Sequence, residues 1–184
     1  PSPKNGWRTA QTWPPESAKS VRFYLHDDSR LSRSKPAAGN TASSYKFDPA
    51  NPVPTKGGLN LTLPLGPMDQ RVIGKRSDYL RLATESLAED LVVAGKIDLE
   101  LWASTDGPDT DFMVKLVDVY PDGYEALVLD TALRTRYRLG RKAEDVCMME
   151  PGKPEKMMID MWNTAITFEK GHRLAIHITS SNSP

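Results

Sequence analysis

One cysteine, Cys147, stands among 184 residues, so no internal disulfide can form and an apolar core has to hold the fold. A lone thiol suits a reducing compartment, which makes the cytoplasm the expected setting. Histidine is nearly as scarce, and with three His, one Cys and neither an H-x-H nor a C-x-x-C spacing, a zinc ion has no ligand set. Net charge is missing too: 24 Lys and Arg balance 24 Asp and Glu, which removes the long-range attraction that nucleic acid or an anionic membrane would exploit. No apolar run approaches the roughly 20 residues of a membrane-spanning helix, so a soluble chain is expected. The opening PSPKNGWR lacks a starting Met and a basic-then-apolar leader, and reads as the start of a piece of a longer polypeptide.

A nucleophile is also lacking. The strained strand-to-helix turn that presents a catalytic serine needs the small neighbours of G-x-S-x-G, and none of the twelve glycines is followed two positions later by Ser. His26 before Asp27 and Asp28 is a superficial acid-base pairing, better explained by a strand running into an acidic turn. No catalytic residue, metal site or cofactor is therefore expected within this chain.

What is present is a period of two. Ile97, Leu99, Leu101 and Ala103 alternate with Asp98, Glu100 and Trp102, placing one face on a core and the other toward water. Gly107, Pro108 and the aspartates around them break this strand. Phe112 to Tyr120 is apolar on both faces apart from Lys115 and Asp118, the pattern of a strand covered on both sides. Further strands are expected at Val21–Leu25, around Leu80 and Leu82, at Tyr124–Leu129, at Leu133–Arg138 with Arg134, Arg136 and Arg138 on one face, and at Met157, Ile159 and Met161. The last clear strand turns Leu174, Ile176 and Ile178 inward and Arg173, His177 and Thr179 outward, with His177 facing solvent or a sister domain. Residues 1–20, with Trp7, Trp13 and the Pro14-Pro15 pair, form a stiff lead-in that the indoles would dock. Residues 30–60 read as a long irregular loop with a short strand near Tyr45–Phe47, and loops of that length often contact something. About eight short strands with turns between them and no helix-length period amount to an all-β, antiparallel two-sheet sandwich, one domain spanning 1–184.

The segments YKFDPANPVPTKGG (Tyr45 to Gly58), GPMDQR (Gly66 to Arg71), ELWASTDGPDTDFMVKLVDVYPDG (Glu100 to Gly123), LRTRYR (Leu133 to Arg138) and FEKGHRLAIHITSSNSP (Phe168 to Pro184) resemble the C-terminal domain of the CocE/NonD hydrolases, the cocaine esterase and X-Pro dipeptidyl-peptidase family. The resemblance runs through most of the chain in the family's order. It implies a jelly-roll β-sandwich, galactose-binding-domain-like, that follows an α/β-hydrolase domain in the same polypeptide, with the Ser, Asp and His triad in that other domain. The parent would be an acyl esterase, amidase or X-Pro dipeptidyl-peptidase, and this domain would pack on the catalytic one and shape its substrate cleft. The family pattern continues past Ser183 and Pro184 into at least one more strand, so the sandwich is expected to lack its last strand, and an open edge would invite pairing with a second copy.

Three groups of residues are candidates for contact or binding. Trp102 and Trp162 fall on the outward parity of their strands and would form either the patch that packs on the hydrolase domain or the sugar platform of a free-standing carbohydrate-binding module. Asp69, Gln70 and Arg71 sit in a polar bend after Pro64 and Pro67 that either ties the long loop to the neighbouring domain or is a solvated turn. Asp109 and Asp111, with Asp106, form an acidic turn whose spacing fits no calcium loop; as caps or ion-pair partners they would find Arg134, Arg136 and Arg138.

Overall fold

The computed structural model describes residues 4–37, 39, 41–60 and 64–183, and among these residues every regular element longer than a 3-10 turn is a β-strand. The strands are β1 (Tyr24–Leu25), β2 (Leu31–Ser32), β3 (Tyr79–Ala83), β4 (Leu91–Ala103), β5 (Asp111–Val119), β6 (Glu125–Arg134), β7 (Glu155–Phe168) and β8 (Arg173–Thr179). All named pairings are antiparallel: a four-stranded sheet in the order β3-β8-β5-β6, a β4-β7 pair and a small β1-β2 pair. The period of two does the rest. Leu82, Phe112, Val114, Leu116, Leu174, Ile176 and Ile178 from the larger sheet meet Leu101, Met157, Ile159, Met161 and Phe168 from β4 and β7 in one buried core, which makes the chain a β-sandwich. Each such side chain contributes roughly 1.5–3 kcal/mol by leaving water.

The second face of the larger sheet is also covered. A strap formed by residues 52–60 and 64–74 crosses it, bridged to the chain end at Pro54–Ser183 and to β6 at Asp69–Ala126. Its own Val53 and Ile73 are buried. This is why β5 is apolar on both faces: Val117, Val119 and Ala175 make a smaller outer cluster while Phe112, Val114 and Leu116 face the main core. Gly58 is required where the strap comes closest, because a Cβ there would lie 2.8 Å from the Asp130 carboxylate and its φ is +76°.

Several expectations are corrected. Tyr124–Leu129 and Leu133–Arg138 do not form two strands: β6 runs unbroken from Glu125 to Arg134 and residues Thr135–Tyr137 form a 3-10 turn. The first strand shrinks to Tyr24–Leu25, paired with Leu31–Ser32, and Tyr45–Phe47 forms no strand. Trp7 is fully exposed and docks nothing; Asn5 does that work through two bonds to the Thr167 backbone, and Trp13 Nε1 donates to Asn163 Oδ1 at 3.3 Å. His177 has the parity expected of it but is only 1% exposed, because the strap and its neighbours seal the outer face.

Candidate functional site

Trp102 and Trp162 do project from the solvent face of the β4-β7 pair, each 64% exposed, with Met158 also exposed in that face. Trp162 is held there by an irregularity. Between Lys96 and Asp98 the register shifts, so that Met161 and Trp162 together oppose Ile97, a bulge that turns the chain and re-aims one side chain. The Trp162 amide donates to Asp160 Oδ1 at 2.8 Å, and φ is +69°, a conformation bulky residues rarely take. Beside Trp102 the open end of the sandwich forms a groove of about 960 Å³ floored by Leu25, Leu80, Leu82, Phe112 and Ile178 and rimmed by residues 41–47.

The acidic turn is a clasp. Asp109 Oδ1 accepts from Thr135 Oγ1 and from the Arg136 amide, both at 2.9 Å, while Oδ2 accepts from Arg136 Nε at 2.6 Å. Burial opposes ionisation of this carboxyl, but the bonds from Arg136 and Thr135 outweigh it and hold its pKa below the ordinary value. Arg134 pairs with Asp111 at 2.5 Å. Arg138 does not join them; its buried guanidinium meets Glu155 at 2.7 Å and the Cys147 carbonyl. The 3-10 turn exists to deliver Thr135 and Arg136 to Asp109. Asp109→Ala should therefore cost about 3 kcal/mol, read as a lower urea midpoint, whereas Asp111→Ala, on a more exposed pair, should cost under about 1 kcal/mol.

Asp69, Gln70 and Arg71 all bond within this chain. Asp69 caps the 3-10 turn Gln70–Ile73 by accepting from the Arg71 amide at 3.0 Å, and also accepts from the Glu125 amide at 3.3 Å. Arg71 pairs with Asp69 and lies 5.6 Å over the Tyr124 ring. Gln70 is fully buried: its Nε2 donates to the Lys56 and Met68 carbonyls at 2.8 and 2.9 Å, and its Oε1 accepts from Lys115 Nζ at 3.1 Å.

That last bond leads to a group of residues that parity alone does not reveal. Arg81 on β3, His177 on β8, Lys115 on β5 and Asp130 on β6 stand in one cross-strand row on the outer face. Lys115 is 1% exposed, and burial pulls its pKa down to about 8 despite Asp130 nearby. Burial raises Asp130 in turn. His177 is driven down to about 3, by burial first and then by the charges of Arg81 and Lys115, so its 3.5 Å approach to Glu125 is a contact between a neutral ring and a carboxylate. Arg81 and Glu125 form a 2.6 Å ion pair that spans from β3 to β6 across the face. The single visible signal was Lys115 interrupting an apolar strand.

The remaining histidines have structural partners. His172 Nδ1 lies 2.9 Å from Asp118 at the start of β8, and His26 Nε2 lies 3.1 Å from the Ser34 carbonyl. Among the described residues no cluster of His, Cys, Asp and Glu is arranged to hold a metal ion.

Residues 2–184 match the X-Pro dipeptidyl-peptidase C-terminal non-catalytic domain, and the chain belongs to that family. It is 36% identical over 190 residues to the cocaine esterase of Rhodococcus sp. (strain MB1 Bresler), covering 97% of this chain and 32% of that enzyme. Among solved structures, an aminopeptidase from a marine sediment Thaumarchaeota archaeon superposes over the whole chain with TM-score 0.88 and 33% identity, and an α-amino acid ester hydrolase over 98% of it with TM-score 0.87 and 32% identity. The chain spans 32% and 33% of those two chains, about a third of their length. It is a C-terminal non-catalytic domain of the X-Pro dipeptidyl-peptidase type.

Proposed function

We propose that this domain packs against the α/β-hydrolase domain of its own polypeptide through the Trp102, Met158 and Trp162 face and the adjoining groove, and there helps wall the substrate cleft. The observation that carries this reading is the pairing of two large exposed indoles with a family whose members are about three times longer than this chain. Exposed apolar surface of this kind marks an interface, and a Trp held at positive φ is a conformation the surrounding bulge has to maintain. The catalytic serine, its base and its acid belong to the partner domain; the parent would cleave acyl esters, amides or X-Pro peptides. This chain supplies shape and stability to the assembly.

The test uses the parent polypeptide. Trp102→Ala combined with Trp162→Ala should weaken interdomain docking by about 2 kcal/mol or more, as aromatic anchors do, seen as a separate early melting transition and reduced kcat/KM. In the 184-residue chain the same pair should shift the midpoint little. Unchanged melting and activity of the doubly substituted parent would refute the assigned face, and inhibitor-sensitive ester turnover by this chain alone would refute its non-catalytic role.

A further inference from the structure

The outer polar row holds a group that nothing else in the domain uses. His177 is sealed from solvent, yet among the described residues neither Nδ1 nor Nε2 has a hydrogen-bond partner. Buried imidazoles are normally bonded, and leaving one unpaired costs stability. Its surroundings explain why it stays neutral. Register places Arg81 beside it on one neighbouring strand and Lys115 beside it on the other. From β3 the Tyr79 ring meets it edge-on at 5.5 Å, and from β6 come Glu125, already bonded to Arg81, and Asp130, which faces Lys115. From the strap come Asp69, which is occupied by Arg71, the uncharged Gln70, and Lys56, a further cation whose carbonyl accepts from Gln70. A proton on His177 would thus sit between two cations with no water to solvate it; Glu125 Oε2 stands 3.5 Å from Nε2 without bonding the ring while the strap is closed, and its Oε1 is bonded to Arg81.

What covers this row is held by a countable set of bonds. Gln70 fastens the strap over the row through Lys115, backbone bonds join Val53 and Thr55 to Ser183 and Met68 to Leu127, and Tyr124 Oη donates to the Pro67 carbonyl. The main core lies on the opposite face of the sheet, and the outer cluster is small. Lifting the strap would hydrate the row without opening the sandwich, and segments of this kind open at lower cost than the whole domain.

We propose that the strap is a proton-operated latch: uptake of a proton by His177, between Arg81 and Lys115, releases residues 52–60 and 64–74 from the outer face while both sheets stay folded. The direction follows from linkage. With the strap closed the ring titrates near 3; hydrated, it moves back toward the ordinary 6.5, held below it by Arg81 and Lys115, which stay beside it on the folded sheet. Between those two values the open state binds the extra proton, so opening is favoured by about tenfold for each pH unit lost within that window.

Hydrogen exchange read by mass spectrometry on this chain tests the latch, with rates normalised to the intrinsic exchange rate at each pH. Strap peptides should lose protection as pH falls below 6.5, with the loss steepening to about tenfold per pH unit, while β4 and β7 peptides hold theirs. His177→Phe should make strap protection independent of pH through that window, although Asp69 and Asp130 remain to titrate. His177→Gln, polar but uncharged at any pH, repeats the test should the larger ring fail to pack. The proposal is overturned if strap protection in either variant keeps the tenfold slope, or if strap and β4-β7 protection collapse together in the parent sequence.

Discussion

Phe168→Ala is expected to cost about 3–5 kcal/mol, a large part of the stability of any domain this size. Phe168 closes β7, is entirely buried and pairs with Leu91 at the start of β4. It packs in the main core with Met157, Ile159 and Met161 from its own strand and with residues of the larger sheet. Among the described residues the β4-β7 layer has two strands, so a cavity at this point is not shared with a further neighbour in the ladder. Relaxation can recover little of the lost packing. The contrast with Trp162 sharpens the prediction: both residues are large, aromatic and on β7, but Trp162 projects to solvent, and Trp162→Ala in this chain should move stability by less than about 1 kcal/mol. Urea unfolding with unchanged m-value is the appropriate measurement. A loss below about 1 kcal/mol at Phe168 would show that the end of β7 is not part of the core.

The same comparison shows what the sequence disclosed and why. Alternation in Ile97–Ala103, in Met157–Met161 and in Leu174–Ile178 reports which side chains face the core, because side-chain direction in a strand is a local property. Those residues are all where their parity puts them. Outward parity was equally informative for Trp102 and Trp162. It failed for His177 and Thr179, since whether an outward residue is wet depends on the path of the strap more than a hundred positions away in the chain. Arg134, Arg136 and Arg138 do not share one strand face, for a related reason. Asp109 draws Thr135 and Arg136 into a 3-10 turn, so the three arginines are shared between the acidic turn and Glu155. Long-range hydrogen bonding outweighed local propensity in each case. The family words cut across this limit: GPMDQR contains the very Gln70 that fastens the strap, although nothing local in that hexapeptide announces burial.

Lys115→Met should stabilise the domain at neutral pH, by about 1–3 kcal/mol, and should abolish a distinctive alkaline dependence. In the unfolded chain the ammonium keeps its ordinary pKa of 10.5, whereas in the folded domain burial lowers it to about 8. Between those values the unfolded state holds the extra proton, so stability rises with pH across the window and is lost again as pH falls from 10.5 to 8, by about 3 kcal/mol in all. Below 8 both states are protonated and the penalty is constant. Met matches the length of the Lys stem and carries no charge to desolvate; replacement of buried charge by apolar volume is often neutral or favourable. Two losses limit the gain: Gln70 Oε1 is left without its donor, and Asp130 loses the cation that counters its burial. Other lysines and tyrosines titrate in the same range, so the informative quantity is the difference between the two proteins' urea stabilities at each pH. That difference should be largest near and below pH 8 and shrink as pH climbs toward 10.5. A difference that stays flat from 8 to 10.5 would mean that Lys115 is solvated in the folded state, and that the strap does not close over the row.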